Sequence, residues 1–255
     1  MLRKALPYSL YRILFGDRRR YGLRIDPGDE DYLCWQSNME RVYRDNQKGT
    51  IGRIVNAWGF KIFDRIDFDK KNIIEIGPGI IDHCSFWRNT PEQYILVDIR
   101  ESFLKASEDI IRRQGIEKVS TIHSDGYSIP CPSECADIIL TFHQLEHVQA
   151  LELFLTEVER LLRPGGLLVG AVPCEGGLAW GLGRFLTSRR YVKRKMNFDY
   201  DKIICWEHPQ FVETIESALG RFFRPHTSIK RPFGLLPFDF NLSWSFIYKK
   251  DECLR

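Results

Sequence analysis

Several short apolar runs in this chain end on residues equipped to meet a ligand. "NIIEIGPG" carries Glu75 within an aliphatic run and then breaks at Gly77, Pro78 and Gly79. Two glycines let the backbone turn tightly and approach a ligand, while the carboxylate offers an acceptor to a cationic or hydroxyl-bearing group. "YILVDI" brings Asp98, 23 residues after Glu75, whose carboxylate can take both hydroxyls of a ribose. A dinucleotide fingerprint needs another glycine three positions after Gly79. Asp82 stands there instead, an acid where pyrophosphate would approach, which argues against NAD and FAD. A later run ends "TFHQLEHV", gathering Phe142, His143, Glu146 and His147. His143, nearest the run's end, is a candidate general base or a pocket wall, and His147 is expected to orient the start of a helix. In "CWEHPQF", Glu207 and His208 open a predicted helix; His208 is a second candidate base, with capping beside Pro209 as the alternative. No compact His, Cys or carboxylate spacing suggests a metal, and none is expected.

The elements that must hold these residues alternate. "NIIEI", "YILVDI", "VSTIH", "ADIILTF" and "GLLVGAV" read as strands separated by helical or connecting stretches. Phe103, Leu104, Ala106, Ile110 and Ile111 recur at helical spacing, as do Val148, Leu151, Phe154, Leu155, Val158, Leu161 and Leu162. Continuous apolar strands covered by helices on both faces imply a mostly parallel, doubly wound α/β sheet. Two late runs, "FFRPHTSIKRPF" and "FNLSWSFIYKK", follow one another without a helix and predict an antiparallel hairpin at the sheet edge. That makes seven strands. Ligands of such sheets bind beyond the carboxyl ends of the strands, where the residues above fall.

Residues 1–47 read as a helical or irregular N-terminal extension, with a turn at Asp26–Asp29. Residues 48–255 then form the α/β domain. It opens with an amphipathic helix marked by Ile51, Ile54, Val55, Trp58, Ile62, Phe63 and Ile66, ending near Asp67. Within it, residues 174–202 form a glycine-rich and then basic insertion, too long for a simple connector and expected to be a functional lid or a disordered segment. Arg184, Arg189 and Arg190, with Lys193, Arg194 and Lys195, suit an anionic acceptor such as a phosphate-linked sugar, or a lipid-linked glycan at a membrane surface. A solvated basic face is the alternative.

The 255 residues are 44% hydrophobic and 28% charged, ordinary for a globular protein, and a net charge of +3 is too mild to argue for nucleic acid. Seven scattered cysteines (34, 84, 131, 135, 174, 205 and 253) suit reduced thiols better than a disulfide framework. Pro7 and Arg12 interrupt the N-terminal apolar residues, so neither a cleaved signal nor a membrane span is expected. The expected location is the cytoplasm; the basic, aromatic-bearing N-terminal segment reads as a solvated helix packed on the main domain, with peripheral contact to the inner face of the membrane as the alternative.

"EIGPG", "LVDI", "SDGYSIPCPSECADIILTFHQLEHV" and "LLRPGGLLVGAVP", in that order over roughly residues 70–173, closely resemble class I S-adenosylmethionine-dependent methyltransferases, in particular the type 11 group. Ile81 stands where the fuller motif has its third glycine. The resemblance implies a Rossmann-like fold and S-adenosylmethionine as cofactor. It also implies roles: Glu75, Gly77 and Gly79 at the amino-acid end, Asp98 on the ribose, Ile99 on the adenine ring, and Asp125 and the Gly126 amide at its polar edge. On this reading the ligand, rather than the core, takes the charge of Glu75. "PCEGGLAWGLGRFLTSRR", "WEHP" and "LLPFDFNLSW" also resemble methyltransferases of bacterial surface-polysaccharide and O-antigen synthesis, which implies O-methylation of a sugar or glycan precursor. The alternatives are methylation of a small metabolite or lipid-soluble ring under an apolar lid of Trp180, Phe185, Tyr191 and Phe198, or a methyltransferase-like protein that binds without catalysis.

Overall fold

A computed structural model describes residues 1–48 and 50–252, apart from the side chains of 42–48 and 50–52. Ile51 and Cys253, both used above, therefore lie outside the described side chains. Ten α-helices are described: α1 (Tyr8–Phe15), α2 (Arg18–Tyr21), α3 (Glu30–Lys48), α4 (Thr50–Phe60), α5 (Glu101–Arg112), α6 (Leu151–Leu161), α7 (Leu178–Leu186), α8 (Ser188–Lys195), α9 (Tyr200–Glu207) and α10 (Val212–Phe222). The strands are β1 (Asn72–Ile76), β2 (Gln93–Asp98), β3 (Lys118–His123), β4 (Ala136–Phe142), β5 (Leu162–Pro173), β6 (Arg224–Arg231) and β7 (Ser243–Lys249).

They form one sheet in the order β3-β2-β1-β4-β5-β7-β6. The first five are parallel, while β7 runs antiparallel to both β5 and β6. The late hairpin is thus present, with β7 inserted beside β5 and β6 at the edge. Strand order reverses between β1 and β4, so their carboxyl ends open a crevice at that point. Ile73 and Ile74 are buried on opposite faces, as a doubly covered strand requires.

Two apolar layers sandwich the sheet. On one face, Phe154, Leu155 and Val158 of α6 and Val212, Ile215 and Leu219 of α10 pack with Ile74, Ile139 and Leu168. On the other, Phe60 of α4 and Leu104 and Ile111 of α5 pack with Ile73, Leu96 and Leu140. Each such fully buried side chain contributes about 1.5–3 kcal/mol. The amphipathic helix expected to reach Asp67 stops at Phe60 and continues as a 3-10 turn over Lys61–Arg65. The tighter turn sends Ile62, Phe63 and Ile66 into the core together.

A third apolar cluster lies apart from the sheet. Val192, Phe198, Tyr200, Ile203, Ile204 and Trp206 from the insertion and α9 pack with Tyr21, Ile25, Tyr32 and Trp35 from the N-terminal segment. Polar bonds tie the same two segments: Trp206 Nε1 donates to the Tyr21 carbonyl at 2.9 Å, Tyr21 Oη donates to Asp199 at 2.7 Å, and Lys202 pairs with Asp29 and Asp31. Gly181 lets α1 seat against α7, since a Cβ there would lie 2.6 Å from the Phe15 ring. The extension and the insertion build one cap together. Among the described residues no helix is long and apolar enough to cross a membrane.

Candidate functional site

A cavity of about 850 Å3 opens at the carboxyl ends of β1, β2, β3 and β4. It is within the range that holds small ligands and cofactors. Its lining includes Glu75, Gly77, Gly79, Asp98, Ile99 and Asp125, and on the far side His143, Glu146, His147 and His208. Residues from four strand ends and the cap thus face one space.

Gly77 and Gly79 have φ of +69° and +56°, which is where glycine is favoured. The turn is held from below, because the Gly77 amide donates to the Val97 carbonyl at 2.8 Å and the Gly79 amide to Asp98 Oδ2 at 3.2 Å. Asp98 Oδ1 accepts from the Arg100 amide at 2.8 Å. Asp98 is 7% exposed, and burial raises its pKa against those two backbone bonds. Each oxygen keeps a lone pair for a ligand. Ile99 stands exposed on the rim, and Asp125 accepts from the Tyr127 amide at 3.1 Å in a side-chain turn.

Two expectations need correction here. Gly126 does not line the cavity; its amide donates to Ser124 Oγ at 3.1 Å, and a Cβ there would press on Phe154. The charge of Glu75 is met by the protein itself. Glu75 is 1% exposed, Tyr94 Oη donates to Oε2 at 2.6 Å, and His83 Nε2 lies 2.9 Å from Oε1. Trp87 Nε1 donates to His83 Nδ1 at 3.0 Å, so the proton of that imidazole sits on Nε2 and points at Glu75. A buried carboxylate needs such donors whether or not a ligand is bound.

The arginines expected to meet the acceptor divide. Arg184 is 4% exposed and donates to the Ile13 and Leu14 carbonyls, both at 3.0 Å, so it fastens α7 to α1. Arg189 forms a two-pronged ion pair with Asp201, which also takes Lys193. Arg190 remains exposed on the outer face of α8. None of the three lines the cavity, and neither do Trp180, Phe185, Tyr191 and Phe198. Its apolar wall comes from the N-terminal segment and the core: Ile25, Tyr32, Trp35, Met39, Phe60 and Phe142. The helical spacing of Tyr32, Trp35, Gln36 and Met39 is the signal that could have found them.

The far side concentrates titratable groups. His143 has φ +53°, its buried Nε2 has no partner, and burial together with His147 holds its pKa down to about 4. Glu146 is 2% exposed, its Oε2 is unpartnered, and burial pushes its pKa up to about 7. His147, expected to orient the start of a helix, instead donates from Nδ1 to the Glu207 carbonyl at 2.8 Å and tethers the end of α9. His208 Nδ1 lies 2.5 Å from Oε2 of Glu175, a residue the sequence did not single out. Burial raises Glu175 to about 8 and lowers His208 to about 4.

Trp35 Nε1, His143 Nε2, Gln144 Oε1 and Glu146 Oε2 are buried polar atoms without partners, and all four residues line this cavity. Unsatisfied buried groups cost about 1–3 kcal/mol each unless something meets them. With the glycine turn and Asp98 opposite, the lining fits a nucleoside-type cofactor beside a polar acceptor. No group of three or more potential metal ligands occurs among the described residues.

Residues 74–170 match the family model Methyltransf_11, described as "Methyltransferase domain". Norajmaline N-methyltransferase of Rauvolfia serpentina is 30% identical over 169 residues, 64% of this chain and 53% of that protein. Demethylmenaquinone methyltransferase of Geobacillus stearothermophilus is 29% identical over 148 residues, 52% and 63% of the two chains. The chain therefore spans between half and two-thirds of the length of these relatives. The crystal structure of N-methyltransferase NodS from Bradyrhizobium japonicum with S-adenosyl-L-homocysteine superposes with a TM-score of 0.53 at 13% identity, over 95% of this chain and 97% of that one, a likeness of fold. Residues 74–170 thus match a methyltransferase domain, and the sheet that holds them has the Rossmann-like fold of that N-methyltransferase structure.

Proposed function

We propose that the protein transfers a methyl group from S-adenosylmethionine to an oxygen of a small acceptor, a sugar or glycan precursor being the first class to test. The carrying observation is the set of four unpartnered polar atoms, on Trp35, His143, Gln144 and Glu146, facing the same cavity as Asp98 and the glycine turn. The cofactor supplies a methyl carbon on a sulfonium, open to in-line attack. Gly77 and Gly79 approach its amino-acid end, with Glu75 beneath them; Asp98 takes the ribose hydroxyls, and Ile99 and Asp125 flank the adenine. Trp35 and Tyr32 offer ring faces, and the unpartnered atoms offer hydrogen bonds to hydroxyls. Closing the acceptor between them aligns it and excludes water. His143 and His208, both in the cavity lining, are the candidates to take a proton.

The apolar wall favours a second reading, methyl transfer to a small metabolite or lipid-soluble ring stacked on Trp35. Calorimetric titration with S-adenosylmethionine, S-adenosylhomocysteine and NAD tests the cofactor: micromolar binding of the first two and none of NAD is expected. Radiolabelled methyl transfer to a panel of sugars, phosphorylated sugars, quinols and amines then separates the acceptors. Failure of both sulfur nucleotides to bind would leave a methyltransferase fold serving another purpose.

With Arg184 and Arg189 engaged internally, an anionic surface is left to Arg190, Arg194 and Lys195, which are exposed and make no ion pair among the described residues. They line a shallow hollow on α8 with Leu186 and Thr187. At about 1 kcal/mol per cation near an anionic membrane, reversing Arg190 and Arg194 together is expected to cut sedimentation with phosphatidylglycerol vesicles about tenfold or more. Equal binding to neutral vesicles, or none to either, would remove the peripheral-membrane reading.

A further inference from the structure

We propose that Glu175 and His208 form a carboxylate–imidazole dyad in which His208 Nε2 takes the proton from the acceptor's attacking group and Glu175 is the positioning residue. The inference rests on the methyl-transfer reading above. Glu175 follows β5, is 1% exposed and does not line the cavity, whereas His208 closes α9 and does. Their contact runs from Nδ1 to Oε2 at 2.5 Å, which leaves Nε2 as the ring nitrogen for the cavity. Backbone bonds hold both partners. The Val212 amide donates to the Glu175 carbonyl at 3.0 Å, and Arg18 donates to the carbonyls of His208 at 2.7 Å and Pro209 at 2.8 Å.

The surroundings set the polarity of the pair. Arg18 from α2 and Arg184 from α7 act on both members, Glu207 lies on the His208 side, and His147 stands with its ring centroid 4.4 Å from that of His208. Glu146 and Tyr200 are further titratable neighbours, each coupled to Glu175. An ionised Glu175 accepts from Nδ1–H, which fixes the tautomer with a bare Nε2 and stabilises the imidazolium formed afterwards. In the transfer, the acceptor oxygen's electron pair forms the bond to the methyl carbon, and the pair of the broken C–S bond leaves on sulfur. The proton released from oxygen goes to His208 Nε2. The midpoint of such a pair belongs to both groups. Because burial raises Glu175, the last proton leaves the pair as pH rises toward the alkaline side of neutrality, and transfer is expected to rise with it.

The test is NMR of the full chain labelled with 15N-histidine and bound to S-adenosylhomocysteine. The His208 signals are expected to titrate with a midpoint above the ordinary imidazole value of about 6.5, with Nδ1 protonated and Nε2 bare at the alkaline end. In Glu175→Gln the midpoint is expected to fall below that value while affinity for S-adenosylhomocysteine holds. With a competent acceptor, kcat should fall about tenfold or more and KM little. A wild-type midpoint at or below the ordinary value, an Nε2-protonated alkaline form, or a midpoint indifferent to Glu175→Gln would overturn the dyad. Should that variant not fold, the wild-type midpoint and tautomer still decide. The readout needs no acceptor, and it can be taken without nucleotide, so failure of the methyl-transfer reading is seen separately as absent nucleotide binding.

Discussion

Arg184→Met is expected to destabilise the protein by about 3–5 kcal/mol, since it removes two hydrogen bonds from a charged donor at about 1.5–3 kcal/mol each. The guanidinium is 4% exposed and serves the Ile13 and Leu14 carbonyls and, at 3.4 Å, Asp201. Methionine fills much of the volume but donates nothing, so two partly buried carbonyls lose their donor and α1 loses its hold on α7. Urea denaturation followed by tryptophan fluorescence measures the loss, since Trp180, Trp35 and Trp206 all belong to the cap cluster. Arg190→Met, on the exposed face of α8, is the control and should stay within about 0.5 kcal/mol of wild type. An unchanged denaturation midpoint together with weakened acceptor binding would return Arg184 to the substrate role that its sequence neighbourhood suggested.

That reversal marks where local sequence stops informing. The five parallel strands were legible because continuous aliphatic runs admit one environment, burial on both faces, and the hairpin because two such runs lacked a helix between them. The strand-end residues followed from topology: Glu75, Asp98 and Asp125 reach one cavity because parallel strands all point their carboxyl ends the same way. The cap was not legible. "GRFLTSRRYVKRK" shows many cations and says nothing of Asp201, which takes Arg184, Arg189 and Lys193 at once. Nor does any local pattern link Glu175 to His208, 33 residues on, or Tyr94 to Glu75. Such pairs arise from the return of the chain, and a charge's partner decides whether it binds a ligand or holds the fold.

Asp98→Ala tests the other end of the site. Each hydrogen bond to a charged group is worth about 1.5–3 kcal/mol, so losing the ribose contacts should weaken S-adenosylhomocysteine binding by well over tenfold. The same carboxylate also accepts from the Gly79 and Arg100 amides, so the alanine variant loosens the glycine turn as well as the ribose contact. Asp98→Asn separates the two effects. Its amide oxygen can still serve one of those backbone donors, but its NH2 cannot accept from the other or from a hydroxyl. Calorimetry should therefore rank affinity wild type, then Asn, then Ala, with thermal melting reporting the turn independently. Affinity unchanged in both variants, with both folded, would sink the ribose assignment. A loss confined to the alanine variant would mean that Asp98 acts through the turn it holds rather than on the ligand.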